Sequence, residues 1–492
     1  MLLGRTWHLL SGHKCTRGVL PGRSKRRAPQ CATANTASDP RRANASLPGL
    51  FVDRLTEKHT EGDVPRLLNN AGYWLVEEFE RSPSAADHLC TRYNPQLWTE
   101  NLRSGSLQEA AWQLCEAATQ VAERVQLDAV PDLLLYLAMI SPLLGAAVFS
   151  QAAHALTRRS DSWMIIACVY SDEVAVQDLA TALERLTATL RGQGSSCQAA
   201  RLAQVMAYTL ASRKSQLNAG SRRAAWGPAL RALRNCSAFT HPDEPSVAAW
   251  REGGAAAKRD MAAGANPQLR PREYRNVKIA EPGPESATEA LCAGLAVELR
   301  LALANQHSST FRYDPVLLAE DEAAAAEAFA AWPATLDRKK PMTNLQAHAR
   351  VAHTQLAGYV ARRLRDPEAS AAPSDLGLLA RLLWALVRSC HDCAATRDLL
   401  SAISAEVRWQ LADYTPGAPA AEGSAAAAAA ASSPTHVAAV LVAFHALGYC
   451  PDSATLQAAA VHLAAHRDVV PADDLLAASA ACKACGLEAC FV

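Results

Sequence analysis

The 492-residue chain contains no uninterrupted apolar run of about 18 residues, the length a membrane-crossing helix needs. It has no surplus of either charge. Its 49 lysines and arginines face 48 acids, which excludes a histone-like composition spread along the chain. With 26 prolines and 24 glycines it is not collagenous, and not disordered throughout. Alternating Val, Ile, Tyr and Phe bounded by turn residues, the mark of strands, is scarcely present. Also missing are a nucleophile elbow, a phosphate-binding Walker loop, a dinucleotide-binding glycine fingerprint and the protein-kinase motifs. These gaps lead to an expected chain without catalytic activity of its own and without a cofactor.

What the sequence does contain is Ala, Leu, Arg, Glu and Gln at helical spacing. Leu107, Ala110, Ala111, Leu114, Ala118 and Val121 form one stripe. Val174, Leu179, Leu183, Leu186 and Leu190 form another, and Leu376, Leu379, Leu383 and Leu386 a third. Pro131, Pro142, Pro228, Pro373, Pro434, Pro451 and Pro471 fall between such windows, where helices start or stop. The stretch at 374–388 (SDLGLLARLLWALVR) aligns with 435–449 (THVAAVLVAFHALGY), pairing Trp384 with Phe444 at an offset of about 60 residues. A third copy starts at Asp473. Units of roughly 30–45 residues that cannot bury their own apolar face define an α-solenoid. The fold expected is all-α, a stack of degenerate helix pairs behind a disordered presequence.

Residues 1–45 carry nine basic residues and one acid, Asp39, with scattered Ser, Thr and Leu. Arginine-rich, acid-poor and lacking an apolar block, the segment has the pattern of a mitochondrial or chloroplast transit peptide, against the rival reading of a disordered basic tail that touches nucleic acid, and the location expected is the mitochondrial matrix. The fourteen cysteines are spaced without a framework, so structural disulfides are not expected in that reducing compartment. Cys390 with Cys393 and Cys482 with Cys485 form two Cys-x-x-Cys pairs. The long span between them favours small apolar side chains at helix ends over a shared zinc. His462 and His466, four apart without an intervening Glu, read as a half-exposed helix face.

Charge divides the rest unevenly. Residues 201–280 hold 14 basic and 5 acidic residues, whereas 46–200 hold 11 and 19, and 281–340 hold 5 and 10. The expected division is a helical domain at 46–215, a basic helix and flexible linker at 216–286, a middle helical segment at 287–366, and C-terminal repeats at 367–492 with a low-complexity insertion at 415–433. In the basic stretch Arg213, Lys214, Arg222, Arg223, Arg231 and Arg234 surround Trp226, and Arg272 and Arg275 follow. Guanidinium groups donate in pairs to phosphate oxygens and an indole stacks on an unpaired base, so these nine residues are the candidate RNA contacts.

The repeat units SDLGLLARLLWALVRSC and THVAAVLVAFHALGYC resemble those of helical-repeat proteins of organellar RNA metabolism, the octotricopeptide-like and FAST-kinase-like groups among them. The alanine-rich style and the basic presequence are similar to those of kinetoplastid mitochondrial proteins, including guide-RNA-associated subunits of the RNA-editing substrate-binding complex. The resemblance implies a non-catalytic part in an RNA-processing or RNA-editing ribonucleoprotein, with RNA and other subunits as partners. The competing expectation is a structural subunit of a mitochondrial assembly such as the mitoribosome, binding protein and not RNA. The two part on one point: guanidiniums already engaged by internal carboxylates would leave only the scaffold.

Overall fold

A computed structural model of the chain describes residues 106–487 with interruptions, the longest at 219–224, 306–316, 334–342, 367–373 and 412–432, and five positions between 68 and 76. Contacts separate Met1–Ser46 from Leu47–Val492, and every described residue belongs to the second unit. The expected presequence lies outside the described residues, as does the insertion at 415–433 apart from Ser433.

The described residues are all-helical, with no strand among them. In chain order the helices are α1 (Ser106–Gln120), α2 (Val130–Met139), α3 (Ser141–Leu144), α4 (Ala146–Leu156), α5 (Ser162–Asp172) and α6 (Val176–Gln193). Next come α7 (Cys197–Ser212), α8 (Trp226–Ala238), α9 (Val247–Ala265), α10 (Ala287–Asn305), α11 (Ala319–Phe329) and α12 (Asn344–Arg365). The last are α13 (Leu376–Ser389), α14 (Ala394–Leu411), α15 (Pro434–Ala446), α16 (Ser453–Ala465) and α17 (Ala472–Ala484). None is long and apolar enough to cross a membrane.

Two series of neighbours account for most of the packing. In one, α2, α6, α8, α11, α13, α15 and α17 each lie against the next. In the other, α5 packs on α9, α9 on α7, and α7, α10, α12, α14 and α16 follow in turn. Helices α6 and α7, α8 and α10, α11 and α12, and α15 and α16 join the series. Each helix therefore buries two or three faces, and Leu179, Leu183, Leu186, Leu376, Leu379, Leu383 and Leu386 from the sequence stripes are all core. The expected basic helix and flexible linker at 216–286 holds a further long helix, α9, with Val247, Trp250, Ala257 and Met261 buried. Gly253 permits the contact with α7, since a Cβ there would stand 2.7 Å from the Arg201 backbone nitrogen.

Caps fix the helix ends. Asp375 accepts hydrogen bonds from the Gly377 and Leu378 amides, and Pro434 occupies the first turn of α15. At the far end of α15, Gly448 is left-handed; its N–H reaches the His445 carbonyl and that of Tyr449 reaches Phe444. Helix α17 ends identically through Gly486, with Leu487 reaching Cys482. In α13 the left-handed position is held by Cys390, at φ 53°. The left-handed positions that close α13 and α15, Cys390 and Gly448, stand 58 residues apart, against the offset of about 60 expected between Trp384 and Phe444.

Candidate functional site

The seven of the nine expected contacts that are described do not form one surface. Trp226 opens α8 and is 0 % exposed, sharing a buried face with Leu230 and Leu233. Its expected role as a stacking platform is corrected: an indole inside the core cannot meet a base. Arg213 is buried and donates to the Tyr170 carbonyl at 3.2 Å and to Gln216 Oε1 at 2.9 Å. Arg231 grips Glu184 through Nε at 2.6 Å and Nη2 at 3.3 Å. Arg234 donates to Glu327 at 2.6 Å. As phosphate contacts these three arginines are corrected too, because their donors serve the fold. Lys214 is half-buried at the start of a 3-10 turn, and Arg272 and Arg275 are exposed in and beside another. Arg222 and Arg223 lie outside the described residues.

Two further arginines of the basic stretch are also used internally. Arg201 forms a two-point pair with Asp260 at 2.6 and 2.7 Å and lies over the Trp163 ring. Arg270 is buried and caps the end of α9 by donating to the Gly264 and Ala265 carbonyls. Five of the eleven described basic residues of 201–280 are thus engaged by carboxylates and carbonyls of the fold, while Arg251, Arg259, Arg272 and Arg275 are exposed.

Helix α11, from the acidic segment, takes Arg234 of the basic stretch and two arginines from later helices, Arg363 and Arg381. At its N-terminal end lie Asp321 and Glu322, with Glu184 of α6 close by. Glu322 is held by Arg363 of α12 at 2.8 and 2.9 Å. Burial raises the Glu184, Asp321 and Glu322 carboxyls above their usual range, with arginines opposing it in each case, and Asp321 is pushed up to about 6. At the C-terminal end stands Glu327, bound by Arg234 of α8 and by Arg381 of α13 at 2.8 and 3.1 Å. Burial pushes Glu327 up, but the Arg381 hydrogen bond and the charges of Arg234, Arg381 and Arg388 hold it below its usual value. Arg234 is lowered by burial and, against the pull of Glu327, by Arg381, Arg191 and Arg388. Arg234, Arg381 and Arg388 thus all bear on one carboxylate, which leaves a local surplus of positive charge.

Beside that surplus opens a cleft of about 560 Å³ between α11, α13 and α15. Arg381, Trp384 and Arg388 line it from α13, His436 from α15, and Leu378, Ala380 and Ala439 supply an apolar floor. Trp384 is 37 % exposed, while the neighbouring Leu383 and Ala385 are core. Gly377 lets α15 come close, since a Cβ there would stand 2.6 Å from His436 Cε1. Asp375 is the second carboxylate of the cleft. Two arginines, two acids, an indole and an apolar floor suit an anionic ligand with an apolar part. Sequence reasoning passed over this site because Trp384 was aligned with the core residue Phe444. The available signal was the stripe itself: Trp384 falls off the Leu376, Leu379, Leu383 and Leu386 series.

Among the described residues no group of three or more His, Cys, Asp or Glu is placed to hold a metal ion. Cys393 contacts Thr396 and Thr354, and His466 Nδ1 donates to the His462 carbonyl. No family model, curated protein or solved structure matches the chain.

Proposed function

We propose that the chain is a non-catalytic α-solenoid scaffold, a subunit of a mitochondrial assembly, that docks an acidic segment of another subunit in the Arg381–Trp384–Arg388 cleft. Its two helix series are then the inner and outer layers of degenerate repeats, with α13, α15 and α17 as equivalent members of one layer. The observation that carries the reading is the surplus of guanidinium around Glu327 beside the exposed Trp384. A short segment with one or two carboxylates next to an apolar side chain uses both halves of that cleft. A polyphosphate chain would also have to pass Asp375 and a surrounding chain with 40 basic and 47 acidic residues over 46–492. The pairs Arg231–Glu184 and Arg234–Glu327 support protein docking over an RNA contact in the basic stretch. The matrix location rests on the composition of residues 1–45, and the resemblance to organellar RNA-metabolism proteins agrees with it.

The test is co-migration of the chain with its assembly in mitochondrial lysate, with and without nuclease. Persistence after nuclease, together with loss in the Trp384→Ala/Arg388→Glu variant, is the expected result. Release by nuclease alone would replace this reading with an RNA-bridged role.

A further inference from the structure

The last two members of the first helix series carry a second feature, independent of the cleft. Helix α15 ends in Gly448–Tyr449–Cys450 and α17 in Cys485–Gly486–Leu487. Because both ends are closed by the same left-handed glycine cap, the chain after α15 is aimed at the end of α17 and not left to wander. Phe444 and Tyr449 hold the first cap with ring centroids 5.2 Å apart. Cys450 Sγ is thereby brought to 2.6 Å from Cys485 Sγ. That is well inside the contact distance of two unbonded sulfurs, and both residues are free thiols. Cys482, the other half of the Cys-x-x-Cys motif, points into the core, so the motif's partner for Cys485 is Cys450 from another helix.

We propose that Cys450 and Cys485 are an oxidative modification site, which takes a small-molecule disulfide of the glutathione class and closes to an intrachain disulfide. Cys450 is exposed and Cys485 half-buried, which sets the order of events. Cys450 loses its proton to solvent and its thiolate attacks one sulfur of the small disulfide. The S–S bond breaks, and the departing thiolate takes up a proton. Cys485 then loses its proton and attacks Cys450 Sγ in the mixed disulfide, expelling the second small thiol. Two protein thiols are oxidised and one disulfide is reduced to two thiols. Burial, then the Cys450 thiol itself, push Cys485 up to about 12, and capping Cys450 in the mixed disulfide removes that second influence. The remaining described cysteines offer no such geometry. Cys115, Cys168, Cys236 and Cys292 are buried and raised by burial, and no contact joins Cys390 to Cys393.

The experiment is incubation of the full-length protein with oxidised glutathione at mildly alkaline pH, read by intact mass and by peptide mapping without reduction. The expected product lacks two hydrogens, contains a peptide joining position 450 to position 485, and reverts with dithiothreitol. The Cys485→Ser variant should stop at a stable glutathione adduct on Cys450. The Cys482→Ser variant should still close, which separates this pair from the Cys-x-x-Cys motif. A glutathione adduct at Cys450 that persists in the parent protein, or a cross-link through Cys482 or Cys390, would overturn the assignment.

Discussion

The two ends of α11 are built from the same materials and behave oppositely. At the N-terminal end carboxylates crowd together, and burial leaves Glu184, Asp321 and Glu322 raised in spite of their arginines. At the C-terminal end one carboxylate, Glu327, is shared by Arg234 and Arg381 with Arg191 and Arg388 nearby, and it is lowered. The helix dipole favours this arrangement, acids at the start and cations at the finish. The difference shows where the fold uses its charge and where it holds charge in reserve. At the first end Arg231 and Arg363 are each committed to a buried glutamate, whereas the second end keeps guanidinium to spare and opens onto a cleft. A ligand can exploit only the second.

The largest expected effect contrasts two arginines of α8. Arg231→Met leaves Glu184 buried without its two-point partner and should cost about 3 kcal/mol. Arg234→Met leaves Glu327 with Arg381 and relieves repulsion among the cations, so it should cost under about 1 kcal/mol. Urea unfolding of both variants checks the pair, and equal losses would erase the distinction between the two ends.

The next effect is smaller and depends on pH. Asp321 titrates near 6 in the folded chain against an ordinary 3.8. Its charge therefore opposes folding above about pH 6, and the penalty is relieved as pH falls towards 4. Asp321→Asn should raise stability by about 1–2 kcal/mol at pH 8, with the gain fading below pH 6. Thermal melts of parent and variant at pH 8 and pH 4.5 read this, and a gain that grows on acidification would contradict it. The smallest change in stability belongs to the cleft. Trp384→Ala and Arg388→Ala should each shift stability by no more than about 0.5 kcal/mol while abolishing co-migration with the assembly. Loss of folding in either variant would show that the cleft residues serve the core.

Much of this fold is readable from the chain. The stripes at 174–190 and 376–387 became α6 and α13 with their leucines buried, because period 3.6 encodes a buried face directly. Pro131, Pro142 and Pro434 do sit in first turns. The candidate site was far less legible. A charge count by segment shows that 201–280 is basic and 281–340 acidic, but not that the two meet. Arg231 and Glu184 are 47 residues apart, Arg234 and Glu327 93. Such pairs exist only once helices stack. Trp226 illustrates the other difficulty: arginines on both sides gave it a polar neighbourhood in sequence, while its spacing to Leu230 and Leu233 placed it on the apolar face.

The central claim, that Arg201, Arg213, Arg231, Arg234 and Arg270 of the basic stretch serve the fold and not a polynucleotide, is tested most directly by titrating labelled single-stranded RNA with the Leu47–Val492 unit across a salt series. The account predicts no more than the weak association common to non-specific binders, with Kd of about 10⁻⁵ M or above near physiological salt. Submicromolar binding that falls steeply with salt, as several phosphate contacts would produce, would contradict it.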